Sequence, residues 1–212
     1  MAASALTTNP AAVPQAPSSP ALTINFPAAT TADDALLVSA IVRLVNLVFV
    51  EAEAGIWRDG FNRTTETEVV ELIRQGQLAL GYLNIEPSSA PIDGYLTPHG
   101  LLVGGICIKR TSPTLGSFNM LALDKRYQGT GLGRELVLFA ERHCRELGCS
   151  TMALDLLVPT TYAHPLKTRM QAWYLRLGYE IMKLGSFAED YPELAPLLAG
   201  PVEFRFFEKK LV

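Results

Sequence analysis

Apolar and polar positions change their period repeatedly along this chain, and each change marks an element. Residues 22–28 (LTINFPA) alternate and predict a first strand. Leu37, Ile41, Leu44, Val45 and Val48 then recur at helical steps behind Asp33 and Asp34. Acids suit a helix N-terminus, so a helix is expected to run to about Ala52. Glu51 to Arg63 reads as a mixed loop. Thr65 followed by Glu68 has capping-box spacing and opens a short helix through Arg74. Gln77 to Leu83 predicts a second strand. Residues 86–100 hold three prolines and two glycines and are expected to be irregular. Leu101 to Lys109 is a nearly continuous apolar run, hence a buried strand, and Gly116 to Leu123 predicts another. Leu132, Leu136, Phe139, Ala140, Cys144 and Leu147 mark a long amphipathic helix ended by Gly148. Thr151 to Val158 predicts a strand, Thr168 to Leu177 a helix ended by Gly178, and Tyr179 to Leu184 a strand. Residues 185–201 read as a loop with room for one helical turn, and Val202 to Lys209 as a closing strand. The order β-α-α-β-β-β-α-β-α-β-β predicts an α/β (α+β) domain with a mixed, partly antiparallel sheet flanked by helices.

Composition narrows the function classes. Of 212 residues, 49% are hydrophobic and 18% charged, as expected of a globular chain. The first 32 residues carry no charge, and fifteen of the first 20 are Ala, Pro, Ser or Thr. Such a stretch cannot bury a core, so residues 1–21 are expected to be a disordered tail and 22–212 one domain. The apolar run Ile41 to Val50 is interrupted by Arg43 and Asn46, which argues against a membrane span. The N-terminus resembles neither a secretory signal nor an Arg-rich transit peptide. Cys107, Cys144 and Cys149 are read as free thiols in a reducing, cytoplasmic setting. His99, His143 and His164 are scattered without ligand spacing, so no metal site is expected. A net charge of −3 and the lack of a basic stripe argue against nucleic-acid binding.

One segment carries chemistry. Residues 118–134 read FNMLALDKRYQGTGLGR, an apolar strand running through a glycine-rich turn into an amphipathic helix. Glycines permit positive φ and close backbone approach, and amides at the helix start are unpaired and aided by the dipole. A phosphate or pyrophosphate is the natural ligand of such a turn; a plain capping turn is the alternative. The P-loop pattern fails because Gly133 is followed by Arg134 and Glu135. The dinucleotide pattern fails because Gly129, Gly131 and Gly133 alternate.

The pattern that fits is Gln/Arg-x-x-Gly-x-Gly/Ala, met by Gln128, Gly131 and Gly133. With Ala172-Trp173-Tyr174-Leu175-Arg176-Leu177-Gly178-Tyr179 downstream, the sequence resembles the GNAT (GCN5-related) N-acetyltransferase superfamily. The resemblance implies the GNAT acyl-CoA N-acyltransferase fold, with a mixed twisted sheet of six to seven strands. It implies acetyl-CoA as cosubstrate, lying between splayed parallel strands at 116–123 and 151–158. The pyrophosphate would rest on amides of Gln128, Gly129, Thr130, Gly131, Leu132 and Gly133. The pantetheine would pair with the backbone of Leu121, Ala122 and Leu123. Lys125, Arg126 and Arg134 would add charge near the phosphates, or else be solvated cations.

Tyr174 matches the family's general-acid tyrosine, which protonates the departing CoA thiolate. The alternative is a half-buried helix tyrosine. Asn119 stands where many members carry a basic Glu; an amide accepts no proton at neutral pH but can orient water or substrate. Asp155 on the next strand is the ionisable candidate, or a structural acceptor. Glu51 and Glu53 lie where members often contact acceptors. The loops 51–63, 86–100, 159–167 and 185–201 would shape the acceptor site, with 86–100 and 185–201 covering it. Cys107 and Cys144 sit at core positions and are not expected nucleophiles. The implied activity is direct attack by a small-molecule primary amine on the thioester. Protein or peptide N-acetylation and a catalytically silent CoA-binding module are the alternatives, and a homodimer is compatible with the family.

Overall fold

The computed structural model describes residues 21–211. The tail expected at the N-terminus therefore lies, apart from Ala21, outside the described residues. Elements follow as β1 (Leu22–Asn25), α1 (Ala35–Ala52), α2 (Glu66–Arg74), β2 (Leu78–Leu83), β3 (Tyr95–Thr97), β4 (Gly100–Arg110) and β5 (Leu115–Leu123). Then come α3 (Leu132–Glu146), β6 (Thr151–Pro159), α4 (Pro165–Arg176), β7 (Glu180–Gly185), α5 (Phe187–Asp190) and β8 (Val202–Lys210). The strands form one sheet of eight rather than the six to seven expected, in the order β1-β2-β4-β5-β6-β8-β7, with the short β3 beside β4 as the additional strand. All neighbours are antiparallel except β5 and β6.

Local signals account for most boundaries. Asp34 accepts hydrogen bonds from the amides of Leu36 and Leu37 and starts α1. Thr65 Oγ1 accepts from Glu68 N, but the Glu68 carboxylate turns to Thr64 Oγ1 at 2.8 Å, so the capping box is only half formed. Two expectations need correction. Residues 95–97 form a strand despite the prolines around them, because Tyr95–Thr97 pair with Gly100–Leu102 across a tight turn. The last long helix starts at Pro165 rather than near Thr168: His164 Nδ1 accepts from Lys167 N, and proline suits a first helical position.

Helices cover both faces. Ile41, Val45, Val69 and Ile73 of α1 and α2 pack on Leu80, Tyr82 and Cys107. Leu136, Ala140 and Tyr174 of α3 and α4 pack on Val103, Phe118, Leu154 and Phe207. The approach of α3 to β5 is close enough to demand glycine: a β-carbon at Gly116 would lie 2.4 Å from Cys144 Sγ. By length and composition α1 is apolar enough to cross a membrane, with mean hydropathy 2.0, so Arg43 and Asn46 do not by themselves exclude a span. In the fold, its buried face lies on the sheet and its exposed Leu47 lines a cleft described below.

The parallel pair positions the site. β5 and β6 are in register only from Leu115–Ser117 to Thr151–Ala153, and beyond that they part. A register shift in the β4–β5 ladder between Gly105 and Cys107 accompanies the divergence. Met120 in β5 has φ 50, and such an irregularity bends a strand and re-aims its side chains. The backbone of β5 facing the gap is left without a strand partner.

Candidate active site

Two cavities meet beside the gap between β5 and β6. The larger, about 820 Å³, is walled by Leu44, Leu47 and Val48 of α1 and by Leu121 and Leu123 of β5. Its far end is the turn Gln128–Arg134. Gly129 and Gly131 have φ 79 and 95, conformations that a β-carbon disfavours. Gly131 is the N-cap of α3 and supplies no side-chain cap, so the first amides of α3 point outward under the helix dipole. The Gln128 side chain donates to Leu123 O at 3.0 Å, and Thr130 Oγ1 donates to Tyr127 O at 2.6 Å. These side chains brace the turn, leaving its backbone to face a ligand.

The cations near the turn divide. Arg126 pairs with Asp93 and Asp124, and Lys125 with Glu51 at 2.7 Å, and both cations line the larger cleft. Arg134 forms no ion pair among the described residues and lines the cleft.

The smaller cavity, about 350 Å³, lies beyond the gap. It brings Asn119, Asp155 and Tyr174 together, from β5, β6 and α4. Tyr174 is 3% exposed among Phe118, Trp173, Tyr179 and Phe207. Burial alone pushes its hydroxyl above the usual tyrosine pKa, so the group stays protonated. Asp155 sits on the cavity floor, wetted but crowded, and desolvation followed by repulsion from Asp190 raises it to about 6. Burial likewise raises the thiols of Cys107 and Cys144 to about 11, which leaves them poor nucleophiles at neutral pH.

Phe49, Leu121, Lys167 and Met170 line both cavities and so mark their junction. Lys167 is 3% exposed, and its Nζ donates to Glu53 Oε1 at 2.9 Å. Trp57 Nε1 donates to the other Glu53 oxygen at 2.6 Å. Glu51 and Glu53 are thus both engaged by lysines. This pair ties the end of α1 to the start of α4, and Lys167 carried no sequence signal: it reads as one more helix cation.

Residues 185–201 contribute Phe187, Tyr191 and Leu194 to the lining of the smaller cavity, and a strap beyond them is tied to residues 56–58. Trp57 bridges to Leu198, Arg58 N donates to Leu197 O and Ala199 N donates to Ile56 O. Trp57, Phe61, Phe187 and Tyr191 line the cavity. The 86–100 loop does not cover it; that segment pairs with β4 and places Asp93 beside the larger cleft.

The family model for the Acetyltransferase (GNAT) family matches residues 56–179, more than half of the chain. The protein belongs to the GNAT acetyltransferase family. A search of curated proteins returned no match. Solved structures similar in fold include Ard1 from Thermoplasma volcanium, at TM-score 0.55 and 14% identity, covering 90% of this chain and 98% of that one. An aminoglycoside 6'-N-acetyltransferase complexed with coenzyme A aligns at TM-score 0.57 and 15% identity, covering 85% and 93%. A NatC complex bound to Gag peptide and CoA aligns at TM-score 0.57 and 14% identity, covering 90% and 99%. Acetyl-CoA as cosubstrate fits the GNAT family, and the larger cleft fits it physically. An apolar wall suits the pantetheine, an unpaired β5 edge its amides, and the glycine turn its pyrophosphate.

Alanine at position 131 introduces a β-carbon at φ 95. The strain is about 1–2 kcal/mol, and it falls where a ligand approaches the backbone. Gly131→Ala is expected to weaken CoA binding about tenfold in calorimetry and to lower the melting temperature by roughly 2–8 °C.

Proposed function

We propose that this GNAT protein transfers the acetyl group of acetyl-CoA to the primary amine of a small molecule. The observation carrying the small-acceptor reading is the strap. Main-chain bonds between residues 56–58 and 197–199 fix Trp57 as part of the lining of the smaller cavity, whose volume of about 350 Å³ suits a small amine.

In this reading the amine enters the smaller cavity and attacks the thioester carbonyl at the junction. Asn119 orients the amine. Asp155, directly or through water, takes the proton that nitrogen sheds as the C–N bond forms. The tetrahedral intermediate then collapses with cleavage of the C–S bond. Tyr174 gives its proton to the departing sulfur, and no covalent enzyme intermediate is needed.

An Asp155 base has a pH signature. Its carboxyl must be ionised, so kcat/KM is expected to fall below pH about 6, and Asp155→Asn should lower the rate and flatten that limb. Stability runs the other way. A carboxyl raised in the folded state binds more protons folded than unfolded between about 4 and about 6, so stability is lost as pH rises through that window. Asp155→Asn should therefore raise the melting temperature at pH 8 relative to pH 4.

The test is thiol release from acetyl-CoA with a panel of small primary amines, amino acids and short peptides, alongside CoA calorimetry. Acetylation of one small-amine class is expected. Turnover confined to peptides would replace the small-acceptor reading with protein acetylation. Tight CoA binding without turnover of any arm would leave a binding module.

A further inference from the structure

The smaller cavity has a charge pattern that the transfer chemistry does not use. Among the described residues, Arg63 and Lys109 are the two partly buried Lys or Arg side chains without an ion pair. Both line this cavity. Every other unpaired cation in the described chain is exposed. A partly desolvated charge without a counter-ion is unfavourable, and the cost is recovered when an anion arrives.

Their placement is built by the fold. Lys109 leaves β4 on the same face as Cys107, whose partner on β5 is Asn119. Arg63 comes down from the loop before α2 with its guanidinium 5.2 Å from the Phe49 ring centre. Arg63, Glu68, Cys107 and Lys109 all line this cavity, and the charges of Lys109, Glu68 and Arg63 all act on the buried Cys107 thiol, which places the three at one end of the pocket. Glu68 also lies there, but its carboxylate accepts from Thr64 Oγ1 and pairs with neither cation. Asp155 lies on β6, two strands away from Lys109 and past the point where β5 and β6 part. That end of the pocket therefore carries two cations against one carboxylate, Asp155 also lines the pocket from β6, and Trp57, Phe61 and Tyr191 stand beside them.

We infer that the acceptor carries an acidic group as well as its amine, an amino acid being the simplest case, with Arg63 and Lys109 holding the acidic group. This rests on the small-amine reading above and deepens it. The ammonium end lies toward Asp155 and Asn119, near the junction where the acyl group is delivered. An apolar side chain lies against the aromatic wall. Guanidinium and ammonium together donate to either a carboxylate or a phosphonate, and the experiment separates them.

Calorimetry on the CoA-saturated protein reads binding without needing turnover. The probes are leucine and phenylalanine, their amides, 3-methylbutylamine, 2-phenylethylamine and the phosphonate analogue of phenylalanine, each also run in the thiol-release assay. The acids are expected to bind at least tenfold tighter than the matched amides and decarboxylated amines. Arg63→Gln and Lys109→Gln should each remove about tenfold of that preference while leaving amide affinity in place. Preference for the phosphonate over the carboxylate would name the former as the acidic group. Equal binding of acids and amides, binding of no acid, or equal weakening of acids and amides by the variants would overturn the inference. Acetylation of neutral amines without acid binding would sink it and leave the transferase reading standing. Selective binding of acids without transfer would do the reverse.

Discussion

Tyr174→Phe is expected to lower kcat by about 10²- to 10³-fold while CoA binding and melting temperature change little. The ring is packed among Phe118, Trp173, Tyr179 and Phe207, and Phe keeps that shape. Burial is the one influence on its hydroxyl pKa, so the substitution breaks no ion pair or charge network. What it removes is a proton donor held at the pocket beyond the cofactor cleft. In the proposed mechanism the thiolate then departs unprotonated, and collapse of the intermediate slows. Stopped-flow thiol release on wild type and variant, with calorimetry for CoA, measures both quantities. An unchanged kcat would remove Tyr174 from the chemistry and return it to the core.

The largest stability effect is expected at Glu141, which sequence reading leaves as one more polar residue of an amphipathic helix. Its carboxylate is buried on α3, accepts from Lys209 Nζ at 2.8 Å through both oxygens and from Tyr179 OH at 2.9 Å. Three elements meet there: α3, the turn after α4, and β8. The Tyr179 hydroxyl is pushed up by burial and then by Glu141, so it remains a donor. Glu141→Ala leaves an almost buried ammonium and a buried hydroxyl without their acceptor. The loss is about 2–4 kcal/mol, less than for a fully buried pair because Lys209 is 23% exposed. For a chain of this size that is a melting-temperature fall of roughly 5–15 °C. Glu141→Gln, which keeps an acceptor for Tyr179, should fall between. A fall of 1 °C or less in Glu141→Ala would mean that water replaces the carboxylate.

How much of this was legible beforehand depends on how local the cause was. The strands and helices carry their own periodicity, and Asp34, Thr65, Gly148 and Gly178 punctuate them from within a few residues. The glycine turn was readable for the same reason: positive φ at Gly129 and Gly131 and the open amides of α3 are properties of one short segment. β3 was missed because its pairing with β4 outweighs the local breakers around it. The commitment of Lys125 to Glu51 and of Arg126 to Asp93 was invisible, since each partner lies tens of residues away. So were the Glu53–Lys167 and Glu141–Lys209 pairs, because a charged residue on a helix reads the same whether it meets solvent or a buried partner.

The sequence by itself determined the family, the element order and the cofactor turn, because periodicity, capping and backbone freedom act over a few residues. Only the tertiary structure decided which polar groups share a cavity. The parting of β5 from β6 opens a gap beside the two cavities, the strap between residues 56–58 and 197–199 fixes Trp57 in the lining of the smaller one, and the sheet brings Lys109, Asn119 and Asp155 to that same cavity. Those are consequences of long-range pairing and burial, where the energy of a charge depends on neighbours brought from elsewhere in the chain.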